Sequence, residues 1–376
     1  MSVYLDNAAT TKPCPEAVSA ALDAMTVNFG NPSSLHKAGL NAQLVMDRAR
    51  KIIADSIGAD SGTIYFTSGA TESNNLALRG ASQAYGRKKR KIVISAVEHA
   101  SVEETACALE EKGFEIARVA PRADGRLYAI DFVNACDENT CLISMMMVNN
   151  ETGYILPVKE VFSAVKRRFP GIVTHCDCVQ GYMKLPVKAA SLNADLISLS
   201  GHKIHGVKGI GALYIKKGIR VVPIVTGGKQ EKGVRSGTES VPLIAAFGAA
   251  VEKLSSSISE RWDCVSELKN HLLDKLSVID EIDVNSPEDG SPYIINISAA
   301  GKRSEIMLHF LESKEIYVSS GSACSKGAQS GVLGSFGVKD RSADSALRIS
   351  LSAENTAEEL DLFVEALIEG MEKIRS

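Results

Sequence analysis

An excess of charge is the first thing this chain lacks. Among its 376 residues 42 are basic and 45 acidic, a formal charge of −3. That balance leaves no electrostatic footprint for nucleic acid or for an anionic membrane surface. Apolar runs of membrane-spanning length are missing as well. The first residues, through Thr11, include Asp6 and no apolar stretch of secretory-signal length. A cytoplasmic protein with neither nucleic-acid nor membrane partners is therefore expected. The eight cysteines are scattered, which without a secretory signal argues for reduced thiols rather than a disulfide framework. The sequence contains no internal repeat, low-complexity tract or disordered linker. Its one basic cluster, Arg87 to Lys91, precedes a strand pattern and reads as a solvated turn.

The length exceeds one typical domain, and an apolar fraction of 45% suits a globular protein with a large core. Through the first two-thirds, apolar β-rich runs alternate with amphipathic stretches: 63–66, 91–97, 141–148, 172–176, 196–199 and 211–215. Such alternation predicts an α/β fold with a mostly parallel sheet covered by helices. A charged helical pattern from about Ala245 to Leu276 predicts one long connecting helix. Beyond it, strands near 292–298 and 346–351, a helix near 305–311, and a last helix with Thr356 and Glu359 in capping-box spacing predict a small α+β domain. The expected division is a large domain over 16–248, with 1–15 and 249–376 forming the small one.

Ligands of such sheets bind beyond the carboxyl ends of the strands, so the residues following each run carry the functional reading. Lys203 lies in Ser200-Gly201-His202-Lys203. Asp177 closes a strand-like run; a buried carboxylate there is costly unless it meets a cation such as a pyridinium nitrogen, and a helix cap is the plain alternative. In Thr67-Ser68-Gly69-Ala70-Thr71 the chain passes from strand to helix, where amides suit a phosphate, or merely an ordinary cap. His99 follows another run, and an imidazole there could stack on a flat ring and shuttle protons, although a lone histidine is more often structural. His205 reads as a local hydrogen bonder. His175-Cys176-Asp177-Cys178 has metal-binding residue types, but on an extended strand the two cysteines face one way and His175 and Asp177 the other; no metal site is expected. Cys324 sits in the small, polar, glycine-bearing loop 318–327, exposed and available as a nucleophile; the other cysteines read as small core residues. Arg348, on a later strand, is either a clamp for a substrate carboxylate or a salt-bridge arginine. Lysine, aspartate and reactive thiol together point to a pyridoxal 5′-phosphate enzyme handling sulfur.

The chain resembles the cysteine desulfurases of aminotransferase class V, in the group whose catalytic loop reads Ser-Ser-Gly-Ser-Ala-Cys. The resemblance runs nearly end to end, through 5–11, Gly30-Asn31-Pro32-Ser33-Ser34 with His36, 66–75, Glu98-His99, 148–151, Asp177 with Gln180, 200–203, Arg235-Ser236-Gly237-Thr238-Glu239 and 319–324. It implies a type I PLP-dependent aminotransferase fold and a homodimer with active sites near the interface. It also implies that Lys203 holds the cofactor and removes the substrate's α-proton, Asp177 pairs with the ring nitrogen, and His99 stacks on the ring. Gln180 and Asn150 would address the ring oxygen or the substrate. Ala70, Thr71, Ser200 and His202 would hold the phosphate, with Thr238 reaching it from the other subunit. Arg348 would take the carboxylate of L-cysteine, and Cys324 its sulfur as a persulfide, with a brief cluster contact as a further role. The sulfur would pass to an acceptor protein such as an iron–sulfur scaffold or a thiolation enzyme.

The sequence departs from the family's usual pattern at Gly206-Val207-Lys208-Gly209 and at Cys176 and Cys178, without loss of a catalytic group. The stretch 324–333 is shorter than the housekeeping loop and lacks its Pro-Ser, which predicts a shorter reach and a different set of acceptors. A selenocysteine lyase is the neighbouring enzymatic reading. A sulfur carrier or scaffold with little turnover is the non-enzymatic one, and the joint presence of Lys203, Asp177 and Cys324 weighs against it.

Overall fold

The computed structural model describes residues 2–320 and 331–374. Strand β1 (Val3–Tyr4) leads the chain. Seven further strands, β2 (Ile64–Thr67), β3 (Lys91–Ser95), β4 (Glu115–Val119), β5 (Thr140–Met146), β6 (Val173–Asp177), β7 (Leu196–Ser200) and β8 (Gly211–Ile215), form one sheet in the order β2-β8-β7-β6-β5-β3-β4. All pairings from β7 to β4 are parallel; β8 alone runs against its neighbours β2 and β7. Every residue of β5, β6, β7 and β8 is buried, because helices cover both faces, and this is why these strands read as continuous apolar runs rather than as alternating ones.

Four strands of the C-terminal region, β9 (Ile282–Val284), β10 (Ile294–Ala299), β12 (Ser319–Ser320) and β13 (Ala346–Ser350), form an antiparallel sheet. Strand β11 (Ile316–Tyr317) pairs in parallel with β1, and Asp6 bridges Ser350. The N-terminal segment is thereby tied to the C-terminal sheet. It then crosses to the central sheet, where the Thr11 amide donates to the His202 carbonyl at 2.9 Å. The last helix, Ala357–Lys373, carries the reciprocal Thr356–Glu359 capping box that its sequence spacing predicts.

One expectation needs correction. Instead of a single connecting helix there are two, Val241–Ser255 and Ile258–Leu276, bent by 77°. The break falls at consecutive serines, whose hydroxyls compete for backbone partners: Ser255 Oγ donates to the Val251 carbonyl at 2.6 Å. The first of these helices is buried over much of its surface, with Ile244, Phe247, Ala250 and Val251 in the core. Among the described residues no single helix is long and apolar enough to cross a membrane.

Candidate active site

The carboxyl ends of β2, β5, β6 and β7 open on one cavity of about 660 Å³. Because β8 is reversed, its entry at Gly209 and Ile210 lies at the same edge, and the crossing N-terminal segment adds Ala8, Ala9 and Thr10. Of the residues singled out from sequence, Ala70, Thr71, His99, Asn150, Asp177, Gln180, Ser200, His202, Lys203 and Arg348 all line this cavity. Thr238 does not. It is exposed on a separate recess of about 350 Å³ shared with Met25, Phe29, Gly30 and Asn31. Cys324 lies outside the described residues.

Lys203 is half-buried, and its amine donates to the carbonyls of Ala8 and Ala9 at 2.6 and 2.7 Å. In the same cavity Asp177 is 4% exposed. Its carboxylate accepts from Asn74 Nδ2 at 2.7 Å and from the Val179 amide at 2.9 Å. Asn74 also donates to Ser101 Oγ at 2.8 Å, and Ser101 Oγ lies 2.8 Å from His99 Nδ1. One buried asparagine thus ties the carboxylate to the imidazole. Burial holds His99 below its ordinary pKa, although Asp177 pulls the other way; the ring is neutral at neutral pH. His202 is pushed down to about 4 by burial and then by the charges of Lys203 and Lys208.

At the start of the helix Ala70–Tyr85 no side chain caps the first turn. The Cap residue Gly69 takes φ 155° and ψ 179°, a region open essentially to glycine alone. Gly211 on β8 packs against it, and a Cβ on Gly211 would come within 2.7 Å of the Gly69 carbonyl carbon and the Leu199 oxygen. The turn is held from outside by Glu72, which accepts from the Ser68 amide at 2.6 Å and pairs with Arg235 at 2.9 Å. Beside these uncapped amides Ser200 Oγ is buried without a hydrogen-bond partner, an arrangement of donors suited to an oxyanion.

Arg348, buried on β13, donates to Asp6 Oδ1 at 2.9 Å and to the Asn150 carbonyl at 3.0 Å, while its Nε is unpartnered. Other residues singled out from sequence lie outside the cavity lining. His205 contacts the Lys12 carbonyl at 3.0 Å and Arg261 at 3.4 Å, partners distant in sequence rather than local ones. The Cys176 thiol, on β6, lies 3.4 Å from the thiol of Cys178, one residue past the strand's end. His175 is engaged by Ser144 at 2.8 Å and Ser198 at 2.9 Å. Cys14, Cys136, Cys141, Cys176 and Cys178 are buried as core residues, whereas Cys264 is exposed.

A family model, Aminotransferase class-V, matches residues 3–363. The chain belongs to aminotransferase class V. It is 39% identical over 378 residues to a protein named cysteine desulfurase IscS from Methanosarcina thermophila, covering all of this chain and 93% of that one. A solved NifS-like protein superposes with a TM-score of 0.94 at 35% identity and complete coverage of both chains. The solved structure titled SspA in complex with cysteine superposes at 0.83 with 31% identity, covering 94% of this chain and all of that one. Enzymes of this class use pyridoxal 5′-phosphate, and the residues here fit it: the orphaned Ser200 hydroxyl and open helix start suit its phosphate, a buried carboxylate suits its ring nitrogen, and a lysine amine suits its aldehyde.

Sequence reasoning missed Asn74, Ser101 and the Ala8 and Ala9 carbonyls. Asn74 lies one helical turn after Ala70, so the 3.6-residue period puts it on the cavity side of its helix. No comparable signal marks the carbonyls, which reach Lys203 only because the N-terminal segment crosses between the sheets.

Proposed function

We infer that the chain is a pyridoxal phosphate-dependent cysteine desulfurase, which converts L-cysteine to L-alanine and takes the sulfur onto a cysteine of its own as a persulfide. The observation that carries this reading is the meeting of Lys203, Asp177 and the uncapped Ala70 helix on one cavity. Bound pyridoxal 5′-phosphate supplies an electron sink for the negative charge left when an amino acid loses its α-proton. Lys203 would bind the cofactor aldehyde and, once displaced by substrate, accept that proton on Nζ. Asp177, its orientation set by Asn74 and the Val179 amide, would keep the ring nitrogen protonated. His99, neutral, would cover the ring. The Ala70 and Thr71 amides with Ser200 and His202 would hold the phosphate, and Asn150 and Gln180 would face the ring oxygen or the substrate.

Arg348 would receive the substrate carboxylate, its unpartnered Nε supporting this over a purely structural ion pair. The Cys324 thiolate would attack the substrate sulfur. A sulfur–sulfur bond forms, the carbon–sulfur bond breaks with its electron pair passing to carbon, and protonation of that carbon gives alanine.

A homodimer belongs to the same reading. Large apolar side chains including Leu22, Met25, Phe29, Leu35, Leu40 and Leu44 are exposed within residues 18–44, a density that marks an interaction surface. The recess of Thr238 adjoins it through Met25 and Phe29, which supports Thr238 serving the partner's phosphate site. We further propose a cytoplasmic enzyme that hands sulfur to an iron–sulfur scaffold or a thiolation enzyme, with an acceptor set different from that of long-loop desulfurases. Sulfur transfer to a long-loop enzyme's scaffold at that enzyme's rate would contradict the last point.

The test is an alanine and sulfide assay with L-cysteine. Lys203→Ala should abolish both products, and Cys324→Ala should keep bound cofactor but form no persulfide. A wild-type protein that stays colourless with added cofactor, and unreactive toward borohydride, would refute the function.

A further inference from the structure

Lys184 sits behind the cavity wall at the end of the turn that carries Gln180. The turn reverses tightly: the Tyr182 amide donates to the Cys178 carbonyl at 2.7 Å, and Met183 adopts φ 57°, a left-handed conformation unusual for a side-chain-bearing residue. This reversal brings Lys184 back onto Gln180. The residue is 7% exposed. It donates to Gln180 Oε1 at 3.1 Å and lies 5.4 Å from the centre of the Tyr293 ring. The charged groups facing it are cations, namely Lys203, Arg261 and Arg348, and burial, followed by their repulsion, pushes it down to about 7. A buried amine among cations is an expensive element to keep for packing alone.

Its hydrogen bond has a directional consequence. A carboxamide can present either its oxygen or its nitrogen, and its partners decide which. Lysine can only donate in its charged form, so the ammonium claims Oε1, whereas the neutral amine could also accept from the amide nitrogen and leaves the choice to the second partner. The Ala8 carbonyl can only accept, and it takes Gln180 Nε2 at 2.9 Å. Both partners select the same rotamer. The amide nitrogen carries two hydrogens, and Gln180 lines the cavity, so its second hydrogen is left to serve as a donor there.

We propose that Lys184 is a positioning residue: it pins the Gln180 amide so that a donor, not an acceptor, faces the ring oxygen of bound pyridoxal 5′-phosphate. The proposal rests on the cofactor reading above. A donor at the ring oxygen competes with the neighbouring lysine–cofactor nitrogen for that oxygen's charge and so favours loss of the nitrogen's proton. Without Lys184 only the Ala8 carbonyl holds that orientation, the flipped amide gains population, and the cofactor's visible absorbance should titrate at higher pH.

The experiment compares pH titrations of the holoenzyme's visible absorbance in wild type, Lys184→Met, Lys184→Arg, Gln180→Leu and the Lys184→Met/Gln180→Leu double variant. Lys184→Met is expected to raise the midpoint by about one pH unit, a tenfold change in proton affinity, while Lys184→Arg, which still donates, stays close to wild type. In the Gln180→Leu background the same substitution should move the midpoint by less than about threefold in affinity, because residues acting through one another are not additive. An equal shift in both backgrounds would mean that Lys184 acts only as a distant charge, and no shift would mean that it does nothing here; either overturns the proposal. Should Lys184→Met fail to fold, Lys184→Gln, whose shorter amide falls short of Gln180, carries the same comparison. A wild-type protein that takes up no cofactor overturns the parent reading and this one with it, whereas a normal wild-type spectrum with an unmoved Lys184→Met overturns this one alone.

Discussion

Asp177 and Glu98 are both buried carboxyl groups, and their surroundings differ. Asp177 accepts from Asn74 and from a backbone amide. Glu98 is buried, its Oε2 has no partner, and burial pushes its pKa up to about 8, with the Asp177 charge adding to the rise against the donors Ser95 and Met146. Glu98 is therefore protonated at neutral pH. Between about 4.5, its ordinary value, and 8 the folded protein holds a proton that the unfolded chain has released, so this group makes stability fall as pH rises across that window. Glu98→Gln keeps the acceptor for the Met146 amide and removes the titration. Its melting temperature is expected to decline less than that of wild type over the same window; a parallel decline in both proteins would show that Glu98 does not titrate there.

The reversal of β8 is what brings a glycine against a glycine at the start of the Ala70 helix. The Gly211 backbone packs on Gly69 closely enough that any side chain at 211 meets backbone on both sides, and backbone cannot yield as a flexible side chain can. Gly211→Ala is expected to displace the start of the Ala70 helix, weaken cofactor affinity at least about tenfold and cost about 1–3 kcal/mol of stability. Cofactor titration with thermal melting checks both. Thr356, at the far end of the chain, offers an element-scale contrast. Thr356→Ala removes a two-way cap and should cost about 1 kcal/mol while leaving desulfurase turnover untouched, as melting and alanine release would report.

For the molecule as a whole, the exposed apolar stretch of residues 18–44 and the Thr238 recess make the isolated subunit incomplete on the present reading. Leu22 and Phe29 are 56% and 71% exposed. Burying such side chains on association contributes about 1.5–3 kcal/mol each, and a buried aspartate opposes it. Leu22→Asp/Phe29→Asp is expected to shift the protein from dimer to monomer in sedimentation and to weaken cofactor binding at the same time. A monomeric wild type would remove Thr238 from the proposed site.

The sequence alone was sufficient for the α/β class, the strand ends that carry Asp177, Ser200 and Lys203, the glycine at the start of the Ala70 helix, and the capped final helix. Each of these is written within a few neighbouring residues, as an apolar run, a turn or a spacing. Tertiary structure decided the rest. The carbonyls of Ala8 and Ala9 meet Lys203 across nearly two hundred positions, Arg348 meets Asp6 across 342, and the helix expected from Ala245 to Leu276 is two helices set at 77° to each other. Local periodicity reports which face of an element is apolar; it carries no information about which distant segment will cover that face, because that depends on how the sheets and the crossing N-terminal segment pack in three dimensions.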